Sequence, residues 1–388
     1  MQNANMKKEI LIDATTVTSQ VDGLSHCIIN LIQYLPKESF DKFNYTVVIN
    51  KGLKRKALTD LLLNPAIKVI ETQVAPIGPK RDWDMFWFLR KYGKQFNLIH
   101  ITSNNYPFAL KNGICTINDI TFNRYFDNPK YTFKLAPMYL YRVIKNALKN
   151  AQKIIAISHA TKADLVSTYK LDAKASDKIK VIHLGWEHLI HEKDAETGEC
   201  EDQFPLSGNY LLYVGTSRVH KNISNLLIAF KKAMPNIAAN KKLVIIGSDK
   251  HLKPEDLEMV SAINATEKRV VFTGYLSQAC VESYFKNADA YIFPSLAEGF
   301  GLGVLEAFYY KVPLLCSNTT SLPEIAGNGA LYFNPFEPGD IAEAILKFYA
   351  DPALGPVLVA EGTKQLQQFS WTKMAVETVQ VYADCLNK

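Results

Sequence analysis

Residues 293–308 read Phe293-Pro-Ser-Leu-Ala-Glu298-Gly-Phe-Gly-Leu-Gly-Val-Leu-Glu306-Ala-Phe. An apolar, strand-like run ends at Pro294. Gly299, Gly301 and Gly303 then keep the loop free of side-chain bulk, and helical residues resume near Val304. A glycine-rich turn from strand to helix lets backbone N–H groups approach phosphate oxygens at the positive end of a helix. Glu298 falls in the loop, at the crevice beyond the carboxyl end of a strand, where open α/β sheets bind ligands. Glu306 falls in the early turns of the helix, where a carboxylate can accept hydrogen bonds from ribose hydroxyls. A glycine-rich turn alone is weak evidence for a nucleotide. Two carboxylates bracketing three glycines are a rarer pattern, although Glu298 could also serve only to cap the helix.

Such a loop needs a parallel sheet to hold it, and the chain supplies two. In the first half, strands are expected at Glu9–Asp13, Tyr45–Ile49, Ile67–Ile70, Leu98–Ile101, Ile114–Ile117, Lys153–Ile157 and Lys180–Ile182. Helical stretches such as Leu24–Leu35, Trp83–Gln95, Tyr131–Asn150 and Ala160–Tyr169 alternate with them. The second half starts afresh at Tyr210–Val214 and continues through Leu243–Ile246, Val270–Phe272, Ala290–Phe293, Pro313–Cys316 and Ala330–Phe333. Nearly continuous apolar strands imply sheets covered on both faces. The fold class is therefore α/β, with two doubly wound, Rossmann-like domains: residues 1–187, an acidic linker 188–206, and residues 207–370. A last helix, 371–388, is expected to cross back to the first domain.

Glu298 and Glu306, with seven residues between them, resemble the Glu-x7-Glu motif of the retaining family 4 glycosyltransferases, which have the GT-B fold. Tyr213-Val-Gly-Thr-Ser-Arg218-Val-His-Lys221-Asn-Ile is similar to that family's donor-phosphate segment, and Pro323-Glu-Ile-Ala-Gly and Ala330-Leu-Tyr-Phe-Asn-Pro to its next loops and strand. Trp371 resembles the tryptophan that often opens the last helix. In the first half, Asp22-Gly23-Leu-Ser-His26 looks like a reduced first glycine loop. His100-Ile-Thr-Ser-Asn-Asn-Tyr-Pro107 and Asn118-Asp119 fall where acceptor-side loops belong.

The resemblance implies a deep cleft between the domains and a role for each matching residue. Arg218 and Lys221 follow the first strand of the second domain and would meet the diphosphate. Positive groups fixed there stabilise the charge that grows as the glycosidic bond breaks, the Arg as a fork and the Lys as a point charge. Glu298 would hold sugar hydroxyls and Glu306 the ribose, while Gly299, Phe300, Gly301, Leu302 and Gly303 line the donor. Gly23 would let backbone approach the diphosphate, unless it is a plain turn glycine. Gly274 and Tyr275 fall in a segment that reads the base through backbone. Asp119 is the first-domain catalytic candidate, with Asn118 and His100 beside it on the acceptor side, unless His100 is a simple loop histidine. Family members often carry His-Asp where this chain has Asn118-Asp119, and an asparagine cannot carry a proton.

No metal or cofactor is expected. The Asp-x-Asp triplet, Asp82-Trp83-Asp84, opens a helical segment and reads as helix N-terminal carboxylates. His183, His188 and His191 have no paired cysteines at ligand spacing, and the six scattered cysteines read as idle thiols. No apolar run approaches the ~20 residues of a membrane span, and the polar start, Met1 to Lys8, reads as no signal peptide. Residues 1–187 hold 27 Lys and Arg against 15 Asp and Glu, while the remainder holds 17 against 23. A basic first half favours anionic partners, unless its charge serves only solubility. Within it, Lys134, Arg142, Lys145 and Lys149 interleave with Tyr139, Leu140, Val143 and Leu148, as in an ordinary packed helix with a solvated basic face or in an amphipathic helix lying on an anionic membrane.

The expected partners are a nucleotide diphosphate sugar, a saccharide or lipid-linked acceptor and an anionic membrane surface, but no nucleic acid. The expected place is the cytoplasm, at the inner face of the membrane. Competing readings are a nucleotide-sugar epimerase on the same scaffold and a catalytically silent sugar-binding subunit.

Overall fold

The computed structural model describes residues 7–18, 23–39, 41–53, 58, 62–121, 125, 135–191, 208–249 and 252–387. The chain divides into two compact units. One is Met1–Gly185 with Ser370–Lys388, and the other is Trp186–Phe369. Trp186 already belongs to the second unit, with its ring 5.3 Å from that of Tyr309. Residues 192–207, most of the expected linker, lie outside the described residues.

The first unit is built on strands β1 (Lys8–Asp13), β2 (Phe43–Asn50), β3 (Ile67–Thr72), β4 (Leu98–Ile101), β5 (Ile114–Ile117), β6 (Lys153–Ala156) and β7 (Ile179–Val181). They form one parallel sheet in the order β3-β2-β1-β4-β5-β6-β7. Its helices include α1 (Gly23–Ser39), α2 (Pro79–Tyr92), α3 (Ala136–Asn150) and α4 (His159–Tyr169). Helix α2 begins a turn before the expected Trp83, because Pro79 suits a first-turn position where its missing N–H costs nothing. Residues 131–134 of the expected Tyr131–Asn150 helix, Lys134 among them, lie outside the described residues. Ser158 caps α4, its Oγ accepting from the Thr161 N–H at 3.0 Å.

In the second unit, β8 (Tyr210–Val214), β9 (Lys242–Ile246), β10 (Val270–Gly274), β11 (Ala290–Phe293), β12 (Leu314–Ser317) and β13 (Ala330–Phe333) form a parallel sheet in the order β10-β9-β8-β11-β12-β13. Around it run α5 (Ile223–Ala233), α6 (Pro254–Ile263), α7 (Gln278–Asn287), α8 (Leu302–Tyr309), α9 (Leu322–Ala326), α10 (Pro338–Ala350) and α11 (Leu354–Leu366). The central strands β8, β11 and β12 are almost wholly buried, as a sheet covered on both faces requires.

At Phe369–Ser370 the chain leaves the second unit, and α12 (Trp371–Leu386) packs on α1. The Trp371 ring is fully buried there. Cys27, Cys115, Cys316 and Cys385 are buried free thiols. Among the described residues, no helix is long and apolar enough to cross a membrane.

Candidate active site

The loops leaving β8, β11 and β12 meet around Glu298, stitched together by side-chain-to-backbone hydrogen bonds. Asn222, held at φ 63°, donates its amide to the carbonyls of Pro294 at 3.0 Å and Pro335 at 2.8 Å. The Leu296 N–H donates to the His220 carbonyl at 2.7 Å. From the third loop, Ser321 Oγ donates to the carbonyls of Glu298 at 3.0 Å and Phe300 at 2.9 Å, and Thr320 Oγ1 accepts the Glu298 N–H at 3.0 Å.

Into this frame project two opposite charges. Lys221 Nζ lies 2.5 Å from Glu298 Oε1, and Ser295 Oγ donates to the same oxygen at 2.7 Å. The other oxygen, Oε2, keeps no hydrogen bond among the described residues. Burial opposes ionisation of Glu298. The charge and hydrogen bond of Lys221, the Ser295 hydroxyl and His220 more than offset it and hold the carboxyl below its ordinary range. Arg218 is half-buried and immediately precedes the 3-10 turn Val219–Lys221, with no ion pair among the described residues. Beside it, the Ser217 hydroxyl is enclosed without a hydrogen-bond partner among them. A buried polar atom left in that state is costly unless a ligand or water completes it.

Helix α8 begins at the end of the Glu298 loop. Gly301 takes φ 101° at its N-cap, and a Cβ there would come 2.6 Å from Leu322 Cδ2. Only glycine suits that conformation and that space. At the start of α8 the Val304 N–H donates to the Gly301 carbonyl at 2.9 Å, while the N–H groups of Leu302 and Gly303 are those a helix leaves without carbonyl partners. Glu306 lies in the second turn. Burial raises its carboxyl to about 7 against a smaller downward pull from Lys221. The site therefore holds two carboxylates with opposite shifts: Glu298 ionised beside Lys221, Glu306 poised to titrate near neutrality.

The second unit thus brings together Arg218, Lys221, Glu298, Gly299, Gly301, Leu302, Gly303 and Glu306. Phe300 departs from expectation: its ring is buried in the core, 5.8 Å from that of Phe369, so only its backbone belongs to the loop. Gly274, at φ 76°, ends β10 and bridges to Gly247, and Tyr275 beyond it is exposed. Ser217, Asn222, Ser295 and Thr320 were not singled out from the sequence. Single hydroxyls and amides in loops carry no spacing signal, and only the fold reveals their partners.

In the first unit, Gly23 opens α1 and is exposed, while Asp22 lies outside the described residues. His100, expected on the acceptor side, is a core residue of β4 with no exposed surface. Its Nδ1 and Nε2 lie 2.7 Å from the hydroxyls of Tyr382 and Thr116, and burial lowers its pKa to about 3. It is a neutral imidazole that ties β4 to α12.

Asn118 and Asp119 follow β5. Asn104 accepts the Asn118 N–H at 3.0 Å and donates to the Asp119 carbonyl at 2.7 Å, while Asp119 Oδ1 accepts from the Thr121 N–H and hydroxyl. Asn118 Oδ1 is enclosed with no partner among the described residues. The Asp82 carboxylate accepts from the Phe108 N–H and the Tyr139 hydroxyl, and Asp84 from the Ala75 N–H and Lys80. Both are already committed to the first unit's own structure.

Residues 200–365 match the family model for glycosyl transferases group 1, and residues 21–187 match that for Glycosyltransferase Family 4. The chain is a family 4 glycosyltransferase. The O-antigen chain mannosyltransferase B of Escherichia coli is 28% identical to it over 298 residues, 76% of each chain. The O-antigen chain mannosyltransferase RfbU of Salmonella typhimurium is 26% identical over 298 residues, 76% of this chain and 74% of that one. Anabaena HepE, solved with UDP and glucose, superposes with a TM-score of 0.70 at 16% identity, covering 97% of this chain and all of that one. That likeness establishes that the glycosyltransferase has the GT-B fold.

Proposed function

We propose that this glycosyltransferase moves a hexose, mannose in the first instance, from a nucleotide diphosphate sugar to a saccharide or lipid-linked acceptor with retention of configuration and without a metal, in the synthesis of a bacterial surface glycan. The observation that carries the reading is the junction of Lys221 and Glu298 beside Arg218 and the start of α8. Cationic groups and unpaired amides converge where a pyrophosphate leaves, and a carboxylate edge is open where sugar hydroxyls sit. The names of the two mannosyltransferase relatives support the choice of sugar and pathway.

In the reaction, the bond from the anomeric carbon to the diphosphate oxygen breaks. Arg218, Lys221 and the α8 amides stabilise the negative charge that develops there. The acceptor hydroxyl oxygen bonds to the anomeric carbon on the same face and passes its proton to the departing diphosphate oxygen. The cationic groups take the charge-balancing role a metal would fill, while the carboxylates of the Asp82-Trp83-Asp84 triplet are engaged elsewhere. The first unit, with Asp119 and Asn118, holds the acceptor. The enzyme works at the inner face of the cytoplasmic membrane.

A thermal-shift screen of UDP, GDP, dTDP and ADP identifies the base, because a ligand that binds the native state raises its stability. Nucleoside diphosphate release is then measured with and without acceptor, and with EDTA. Acceptor-dependent release that EDTA leaves intact, with an unchanged anomeric configuration by NMR, is the expected result. Sugar isomerised without acceptor marks an epimerase, and nucleotide binding with no turnover marks a silent subunit. Either outcome overturns the proposal.

A further inference from the structure

Helix α2 presents to solvent a face that its fold does not need. Its buried side is Arg81, Met85 and Phe88. The exposed stripe, running on past the helix end, is Lys80, Trp83, Phe86, Trp87, Arg90, Lys91 and Lys94, of which Lys80 is ion-paired with Asp84 at 2.8 Å. Trp83 is 64% exposed, Trp87 52% and Phe86 41%. The three rings pack on one another in a knot: Trp83 stacks on Phe86 at 6.5 Å, and both meet Trp87 edge-on, at 5.9 and 5.3 Å. Large aromatics so exposed are unfavourable in water and mark an interaction surface.

The patch does not stop at α2. Asp82 anchors two neighbouring segments through the Phe108 N–H and the Tyr139 hydroxyl. Phe108 is itself exposed, and α3 turns outward the stripe Leu135, Met138, Arg142, Lys145 and Lys149, starting at the residue before its first turn. Two helices therefore offer aromatic and aliphatic side chains with basic residues beyond them. This is the composition of a surface lying in a lipid headgroup layer, where tryptophan rings sit at the interface and Lys and Arg meet anionic headgroups. The surplus of 27 basic over 15 acidic residues in the first half adds long-range attraction of the same sign.

We infer that the exposed faces of α2 and α3 form a single docking surface for an anionic phospholipid bilayer, with Trp83, Phe86 and Trp87 inserting at the interface and Arg90, Lys91, Arg142 and Lys145 binding headgroups. This deepens the peripheral-membrane part of the proposed function and assigns it chiefly to α2. An exposed aromatic platform could instead hold a glycan, and the experiment separates the two.

The full chain is sedimented with vesicles of phosphatidylcholine alone or with about 30% phosphatidylglycerol, at low and high salt. Binding should be at least about tenfold tighter to the anionic vesicles and weaken with salt. Trp83→Ser/Trp87→Ser should lose about tenfold or more of that binding, and Arg142→Glu/Lys145→Glu should lose most of its salt-sensitive part. Both should keep the wild-type Tm and turnover on a water-soluble acceptor. Tryptophan emission should shift to the blue on anionic vesicles, because Trp371 is already buried and Trp186 half-buried among the four tryptophans. Equal sedimentation of wild type and variants overturns the inference, as does failure of the wild type to bind anionic vesicles. So does vesicle binding that survives while Trp83→Ser/Trp87→Ser loses affinity for free oligosaccharide. Turnover on the soluble acceptor tests the enzyme reading separately from all of these.

Discussion

Thr320, held at φ 52°, accepts the Glu298 N–H on its hydroxyl at 3.0 Å. A β-branched residue in the left-handed region is strained by about 1–3 kcal/mol, and here that strain sits against the backbone of the loop that carries Glu298. Thr320→Gly removes the strain and the acceptor together. The expected outcome is an unchanged or higher Tm with turnover several-fold lower, because the Glu298 loop loses one of its fixings. Thr320→Asn tolerates the backbone and restores an acceptor, so it should recover part of the loss. Steady-state rates beside melting curves check this, and full activity in Thr320→Gly would sink it.

The Lys221–Glu298 pair predicts an asymmetry. Its side chains are only 22% and 14% exposed. Lys221→Ala leaves the carboxylate with only the Ser295 hydroxyl and the weaker influence of His220 and should destabilise the fold by about 2–4 kcal/mol. Glu298→Gln should cost less, since the lysine stem can carry its ammonium toward water and the amide can still accept from Ser295. Both should lower kcat, Lys221→Ala by about a hundredfold with a smaller rise in KM, as expected when a charge acts on the leaving group. Denaturant titrations and initial rates on both variants are the check. Equal stability loss in the two would mean that the pair is not the main partner of either charge.

The sheets were readable from residue types and the hydroxyl network was not. Each expected strand is present to within about two residues at either end, because a parallel strand buried on both faces must be apolar throughout. The placement of Glu298 in the loop after β11 and of Glu306 in α8 was also legible, since glycines between an apolar run and a helical one mark a strand-to-helix turn. His100 misled. It precedes a polar loop in sequence, but its ring is buried against α12, where Thr116 and Tyr382 satisfy both its nitrogens. No sequence pattern distinguishes that from a ligand, because the Tyr382 partner lies 282 residues away. The Trp83–Phe86–Trp87 face is no more legible, because aromatics at helical spacing fit a core as well as a surface, and only the fold shows that Arg81, Met85 and Phe88 occupy the buried side.

Glu306 sets two opposed pH trends. Its carboxyl moves from its ordinary 4.5 to about 7 in the folded protein. The folded state binds the proton more tightly than the unfolded chain, so stability declines as pH rises from about 4.5 to about 7 and levels off above. Glu306→Gln removes that titration, and its gain in Tm over the wild type should be larger at pH 8 than at pH 5. Donor binding runs the other way, because only the ionised carboxylate accepts both ribose hydroxyls in charge-assisted bonds. Affinity for the nucleotide sugar should rise through about pH 7 in the wild type and stay flat in Glu306→Gln. Glu306→Ala should lose about 1.5–3 kcal/mol of donor binding. Calorimetry with the intact nucleotide sugar, whose diphosphate does not titrate in this range, checks both. A flat wild-type profile would take Glu306 out of the ribose contact.

Arg81 and Asp13 supply the last prediction. Each side chain is 1% exposed, and the two are joined by an ion pair. Arg81 also donates to Thr15 Oγ1 at 2.6 Å and to the Asn105 carbonyl at 3.3 Å, and Thr15 in turn donates to Asp13 at 2.7 Å. The network locks α2 to the end of β1, which fixes the helix that carries the exposed aromatics. Removing one charge leaves the other buried and unpaired, at a cost of about 3–5 kcal/mol. Arg81→Met and Asp13→Leu should each lose that much in urea unfolding. The double replacement should lose clearly less than their sum, because no lone charge is left behind. Additive losses would show that each side chain stabilises the fold through its other contacts rather than through the pair.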